Sequence, residues 1–182
     1  MNSLLAADGV TLRALEPTDI DLLLRWENDS EWWTTSSTHA PFSRQLIWQY
    51  LESYDTDIYK SRELRLMIEL EGGEAVGAID LTAFDPFNSR AEVGVMIDRH
   101  HQGRGYATTA LRLLKDYAVD FLALRQLYAL VPVDNAASRA LFTRAGFTCS
   151  GTLRSWLRRN SDFLDVDIYQ FNQLRVAKKN KT

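Results

Sequence analysis

Apolar and polar residues alternate from Val10 to Leu15, the period of a strand with one buried face. Pro17-Thr18-Asp19 then supplies helix-opening residues, and Ile20, Leu23, Leu24 and Trp26 follow as an apolar stripe. The polar, tryptophan-bearing stretch from Glu27 to Thr38 interrupts that stripe and reads as a loop or a broken helix. Ser43 caps a second helix running to Ser53, with Leu46, Ile47, Tyr50 and Leu51 on one face. Two strands, Glu63 to Glu69 and Ala75 to Ala83, flank the paired glycines Gly72 and Gly73, a hairpin signal. Asp85 to Ser89 forms a turn, and Ala91 to Asp98 a further strand.

Beyond a glycine-bearing run, Leu111, Leu114, Ala118, Phe121 and Leu122 recur at helical spacing. Leu127 to Val133 is expected to be a strand, and Asn135 to Ala145 a helix closed by Gly146. Phe147 to Trp156 and Asp165 to Asn172 complete the chain as strands joined by a polar turn. The order is strand, two helices, three strands, helix, strand, helix, two strands. That order suits an α/β layer on a mixed sheet. No repeat or linker divides the chain, so residues 1–182 are expected to form one domain, with Lys178 to Thr182 frayed.

Composition narrows the function. With 46% hydrophobic and 25% charged residues the chain has the makeup of a folded globular protein. Its 24 acidic against 21 basic residues leave a net charge of -3, which disfavours a general nucleic-acid binder. A single cysteine, Cys149, excludes an intrachain disulfide and fits a reducing compartment. Neither a signal peptide nor a membrane span is expected, so the chain is read as cytoplasmic. Cys149 is expected to pack as a small core residue beside Phe147. His39, His100 and His101 lack ligand-like spacing with cysteine, and no metal site is expected.

The chemistry concentrates in Ala91 to Thr108, where a strand enters a loop containing Gly103 and Gly105 that opens directly into a helix. Glycines allow sharp turns and close approach of backbone amides. The first amides of a helix have no intrahelical partners and sit at the positive end of its dipole, so the loop suits a phosphate or pyrophosphate. The Gly-Lys-Ser/Thr of a P-loop and the third glycine of a dinucleotide fingerprint are both missing. On spacing alone the glycines equally serve turn geometry.

Gln102-x-x-Gly105-x-Ala107 resembles the signature of the GNAT superfamily of acyl-CoA-dependent N-acetyltransferases. Asn135-x-x-Ser138-x-x-x-Phe142-x-x-x-Gly146-Phe147 is similar to its second motif. The opening Leu12-Arg13-Ala14-Leu15-Glu16 and the closing Gly151-Thr152-Leu153-Arg154 and Asp165 to Tyr169 extend the likeness over nearly the whole chain. They point to the branch with spermidine and ribosomal-protein N-terminal acetyltransferases. The resemblance implies a mixed, mostly antiparallel sheet flanked by helices, with splayed central strands holding acyl-CoA.

It also implies roles. Acetyl-CoA would be the co-substrate, with its pyrophosphate on the amides of Gln102, Gly103, Arg104, Gly105, Tyr106, Ala107 and Thr108. Arg104 serves equally well as a solvated loop charge. The pantetheine arm would pair with Val95, Met96 and Ile97, one of whose amides faces the thioester oxygen. Asn135 would bond its end, with Ser138 nearby, while also serving as an N-cap. Glu92 is the candidate general base, its alternative a solvent-facing strand glutamate. A tyrosine used by many members to protonate the departing thiolate is replaced by Phe142; Tyr106, Ser138 and Cys149 are the alternative proton sources. A primary amine arrives protonated, since its pKa lies near that of lysine, about 10.4, and must lose a proton first, while a thiol pKa of about 8.5 makes thiolate a fair leaving group even without an acid.

Glu27, Asp29 and Glu31 beside Trp26, Trp32 and Trp33 would draw a cationic amine, Glu27, Glu31 and Trp33 being the substrate candidates. At least one of these tryptophans is expected to pack on the core instead. The expected activity is acetyl transfer to a small primary amine, of polyamine or diamine type, in a ternary complex. A protein N-terminus, an aminoglycoside-like acceptor and a CoA-binding sensor or partner subunit without turnover are the competing readings. The partner is a small molecule, with neither nucleic acid nor membrane involved; a homo-oligomer is compatible with the sequence.

Overall fold

The computed structural model describes residues 4–33 and 40–173, with backbone alone at Glu31 and Trp32. The strands are Ala6–Ala7 (β1), Val10–Arg13 (β2), Leu64–Leu70 (β3), Ala75–Asp85 (β4), Arg90–Ile97 (β5), Gln126–Pro132 (β6), Thr148–Arg159 (β7) and Asp162–Asn172 (β8). The helices are Ile20–Glu27 (α1), Ser30–Trp33 (α2), Arg44–Ser53 (α3), Ile58–Ser61 (α4), Tyr106–Asp120 (α5) and Ala136–Arg144 (α6). All eight strands join one sheet in the order β1-β2-β3-β4-β5-β6-β8-β7. Every neighbouring pair is antiparallel except β5 with β6. That parallel step needs a long crossover, which α5 provides.

Strand alternation sends two sets of side chains to opposite faces. On one face Leu12, Ile68, Ile79, Val93 and Leu127 pack with Leu111 and Leu114 of α5 and Leu141 and Phe142 of α6. On the other, Met67 and Ala78 meet Ile20, Leu23 and Trp26 of α1 and Ile47 of α3, with Met96 alongside. This second face also carries ion pairs. Arg13 holds Asp19 through two bonds of 2.8 and 2.9 Å and reaches Glu69 as well. Burial alone would raise the Asp19 carboxyl, but the bonds from Arg13 and from the Glu16 amide outweigh it and hold it below its ordinary value.

The parallel pairing ends early. β5 and β6 are in register only from Arg90 with Gln126 to Glu92 with Tyr128. β5 continues to Ile97 along β4, and β6 continues to Pro132 along β8. The two strands therefore part in mid-sheet, and beyond Glu92 the edge of β5 that faces β6 has no strand against it among the described residues.

Several expected boundaries shift. β2 ends at Arg13 and is preceded by β1, because Asp8 and Gly9 adopt positive φ (51° and 75°) and turn the chain in a tight hairpin. The expected break after Glu27 contains α2, and α4 appears where no helix was expected. α5 ends at Asp120, so Phe121 sits at its C-cap and is 65% exposed rather than part of the core stripe. Leu46 is likewise 46% exposed on α3. β7 and β8 reach a turn at Asn160 and Ser161, with Arg159 opposite Asp162. Solvent wets both sides of the distal end of this hairpin, residues 154–165, so polar residues occupy positions that alternation reserves for apolar ones. Cys149 is exposed, a correction to the expected core packing: it pairs with Tyr169 on the outermost strand. Residues 34–39, His39 among them, and the tail at Lys178 to Thr182 lie outside the described residues.

Candidate functional site

Two cavities meet at the parting of β5 and β6. The first, about 730 Å3, lies between the loop before α5 and helix α6. Gly103 (φ 75°) and Gly105 (φ 86°) bend that loop through left-handed backbone that side chains resist. A Cβ at either position meets nothing within 4 Å, so conformation and not protein crowding calls for glycine there. Thr108 and Thr109 donate back to the Gly105 carbonyl, starting α5. The amides before them point toward the cavity end of a 15-residue helix. Gln102, Gly103, Gly105, Tyr106, Ala107 and Thr108 all line this cavity; Arg104 is exposed and does not.

The loop is fixed at its root. The Gln102 Nε2 donates to the Ile97 carbonyl at 3.0 Å. Asp98, 8% exposed, accepts from the Trp26 indole at 2.8 Å, from Arg25 at 2.8 Å and from the His100 amide at 3.0 Å. Burial pushes its carboxyl up, but these donors prevail and keep it below the ordinary range. Trp26 is thus the tryptophan that packs on the core, and its nitrogen secures the end of β5.

The second cavity, about 290 Å3, draws its lining from both faces of the sheet. Val93, Ala129 and Phe142 come from the α5/α6 side; Trp26, Glu27, Trp33, Arg65 and Asp80 come from the other. Val95, Asn135 and Ser138 line both cavities, so the two adjoin at the splay. Met96 lines the second cavity and Ile97 the first. Asn135 caps α6 by accepting from the Ser138 amide at 3.0 Å. Phe142, 4% exposed, is held edge-on to Phe147 at 5.1 Å.

Glu92 lies two residues before Gly94 on the same face of β5 and lines neither cavity. It is half-buried opposite Tyr128 on β6, and burial, outweighing the opposing pull of the Tyr128 hydroxyl, raises its carboxyl above the ordinary glutamate value. Of the expected acceptor residues, Glu27 and Trp33 line the second cavity, and the Trp33 indole donates to the Glu27 carbonyl at 2.6 Å. The Glu31 side chain lies outside the described residues. Asp29 is engaged by Arg99. Among the alternative proton sources, Ser138 lines both cavities, Tyr106 lines the first, and Cys149 lines neither.

Sequence reasoning passed over two charged residues in this cavity. Arg65 of β3 clasps Asp80 of β4 with bonds of 2.9 and 3.1 Å and reaches Glu27 at 3.1 Å. Burial works against the guanidinium charge, but Asp80 first and Glu27 further out hold Arg65 more firmly protonated than usual. Gly94 opposes Asp80 across the ladder and leaves no side chain over it. The available signal was an aspartate flanked by Ile79 and Leu81 inside the largely apolar run Ala75 to Phe84.

Residues 10–148 match the acetyltransferase (GNAT) domain. The chain belongs to the GNAT acetyltransferase family. Spermidine N(1)-acetyltransferase of Escherichia coli K12 is 28% identical to this acetyltransferase over 151 residues, covering 81% of this chain and 77% of that one. A putative ribosomal N-acetyltransferase of Bacillus subtilis is 30% identical over 177 residues, covering 89% and 90%. The crystal structure of spermidine N-acetyltransferase from Vibrio cholerae in complex with CoA and spermine superimposes with a TM-score of 0.81 at 26% identity, covering 91% and 96%. The splayed α/β sheet is the GNAT fold, and acetyltransferases of this family use acetyl-CoA. Among the described residues no helix is long and apolar enough to cross a membrane.

Proposed function

We propose that this acetyltransferase moves the acetyl group of acetyl-CoA to a primary amine of polyamine or diamine type, by direct attack in a ternary complex. The observation that carries the reading is the junction of the two cavities at the splay, one ending on a glycine loop and the other on carboxylates. The first suits the pyrophosphate of the donor substrate on the amides of Gln102 to Thr108. Its arm would follow the unpaired edge of β5 at Val95, Met96 and Ile97 toward Asn135. The second brings Glu27, Asp80 and Arg65 together, an excess of one negative charge.

In the reaction Glu92, through a water, takes a proton from the ammonium. The freed nitrogen forms its bond to the thioester carbon as the carbon–sulfur bond breaks, and the nitrogen's surplus proton passes to solvent or to the Ser138 hydroxyl. A β5 amide answers the charge growing on the carbonyl oxygen. The sulfur departs as thiolate or takes a proton from Ser138, because Phe142 has none to give. With a thiol pKa of about 8.5, unassisted departure is feasible near neutral pH. The similarity to spermidine acetyltransferases supports the choice of acceptor, and the likeness to a putative ribosomal N-acetyltransferase keeps a protein N-terminus as the second reading.

The test is free-thiol release from acetyl-CoA across polyamines, diamines, N-terminal peptides and aminoglycosides. Saturable release with the small cationic amines is the expected result. Release confined to peptides would transfer the assignment to the second reading. CoA binding with no release from any amine would end both.

A further inference from the structure

The Glu27–Arg65 ion pair is a wall with a cavity on each side. Behind it, away from the splay, lies a third cavity of about 310 Å3 between α3 and β3. It shares Glu27 and Arg65 with the cavity at the splay and adds Phe42, Leu46, Ile47, Tyr50 and Glu63. Glu63 precedes Arg65 by two residues in extended chain, so both side chains face the same way. Glu63 accepts from the Tyr50 hydroxyl at 3.2 Å and makes no ion pair among the described residues. The Tyr50 ring stands 5.7 Å from the Arg65 guanidinium carbon, within range for an aromatic face to hold a cation.

The charges across both cavities are unequal. Glu27, Asp80 and Glu63 oppose only Arg65 among the lining residues, which leaves two negative charges for two ammonium groups to balance. Between the carboxylates the lining is apolar and aromatic, as a methylene chain requires. The wall itself is unevenly built: Arg65 grips Asp80 through two bonds but Glu27 through one of 3.1 Å. A passing ammonium competes for Glu27 while Arg65 stays anchored on Asp80.

We propose that the cavity between α3 and β3 is the subsite for the far end of the acceptor. It takes the second cationic group of an extended diamine or polyamine against Glu63, while the chain crosses beside Glu27 and the reactive nitrogen sits at the splay. The proposal deepens the functional reading above and rests on it. Glu63 touches no reacting atom; it sets which amines bind, and length and second charge are what it reads.

The experiment compares kcat/KM for α,ω-diamines of increasing length with that for monoalkylamines of matching length, in wild type, Glu63→Gln and Leu46→Trp. In wild type the longer diamines are expected to exceed their monoamine counterparts by roughly tenfold, the scale of one charge-assisted hydrogen bond. Glu63→Gln lowers that ratio toward one, chiefly through KM, with the thermal midpoint unchanged. Leu46→Trp fills the cavity and lowers the longest acceptors relative to the shortest. Equal values for diamine and monoamine at every length, or a ratio unmoved by Glu63→Gln, would overturn the subsite while leaving acetyl transfer intact. Absence of transfer to every amine would instead overturn the functional reading beneath it.

Discussion

The two faces of the sheet are built on different principles. Against α5 and α6 the packing is continuous and apolar, with Leu111, Leu114 and Leu127 wholly buried. Against α1 and α3 a smaller apolar cluster shares its face with Arg13–Asp19, Arg65–Asp80 and the Trp26–Asp98 contact. The first face ends on the backbone amides of a fixed loop; the second ends on side-chain charges. In our reading a constant donor meets the first and a variable acceptor the second. Backbone amides recognise phosphate with little dependence on side-chain identity, whereas carboxylates on strands can be placed or removed one substitution at a time.

Glu92→Gln tests the contrast hardest. A positioned base contributes typically 10²–10⁴-fold, so kcat is expected to fall by that range with CoA affinity retained in calorimetry. Burial raises the Glu92 carboxyl above its value in the unfolded chain. Its contribution to stability is therefore full below the ordinary glutamate pKa of 4.5 and is lost as pH rises through the raised folded value. Activity runs the opposite way, because the base form appears over that same window. Glu92→Gln is thus expected to remove the acid limb of the kcat/KM profile while raising the melting temperature at neutral pH.

Leu111→Ala should cost about 3 kcal/mol of stability in denaturant titration, the middle of the range for a fully buried leucine, with the ranking of amines unchanged. On the polar face Asp19→Asn should cost about 2 kcal/mol, since it leaves the Arg13 charge partly uncompensated. The Asp19 carboxyl lies below its unfolded value, so its stabilisation is present above the ordinary pKa of 3.8 and disappears as pH falls through the lowered value. The gap between Asp19→Asn and wild type should accordingly close in acid.

Gly105→Ala forces a side chain into left-handed backbone at a strain of about 1–2 kcal/mol. It is expected to weaken CoA binding about tenfold in calorimetry and leave the discrimination among amines alone. Phe142→Tyr should have the smallest effect, raising kcat by less than about tenfold, because a thiolate leaves without needing an acid. A larger gain would mark thiolate protonation as the step the native chain performs poorly.

The glycine loop was legible in the sequence through its motif, and the acceptor-side cavity only in part, through Glu27 and Trp33. Gly103 and Gly105 between a strand and a helical stripe suit an anion site or a plain turn alike; the resemblance carried by Gln102, Gly105 and Ala107 points to the donor, and those three residues line the larger cavity. The parting of β5 from β6 follows from register, which no single strand encodes; it entered only through family resemblance. Arg65 and Asp80 were missed because each reads locally as a strand position, and their opposition depends on the pairing of β3 with β4. The hairpin of β7 and β8 ran longer than expected for a related reason. Its distal end, wetted on both sides, carries no hydrophobic alternation to count.

The claim that the two faces deliver their substrates together at the splay is tested most directly by initial rates. Acetyl-CoA and a diamine would be varied against each other, with the enzyme weighed by intact-mass spectrometry after exposure to acetyl-CoA alone. The account predicts intersecting reciprocal plots and an unmodified enzyme. Parallel plots together with an acetylated chain would contradict it, because the acetyl group would then have moved to the protein before the amine arrived.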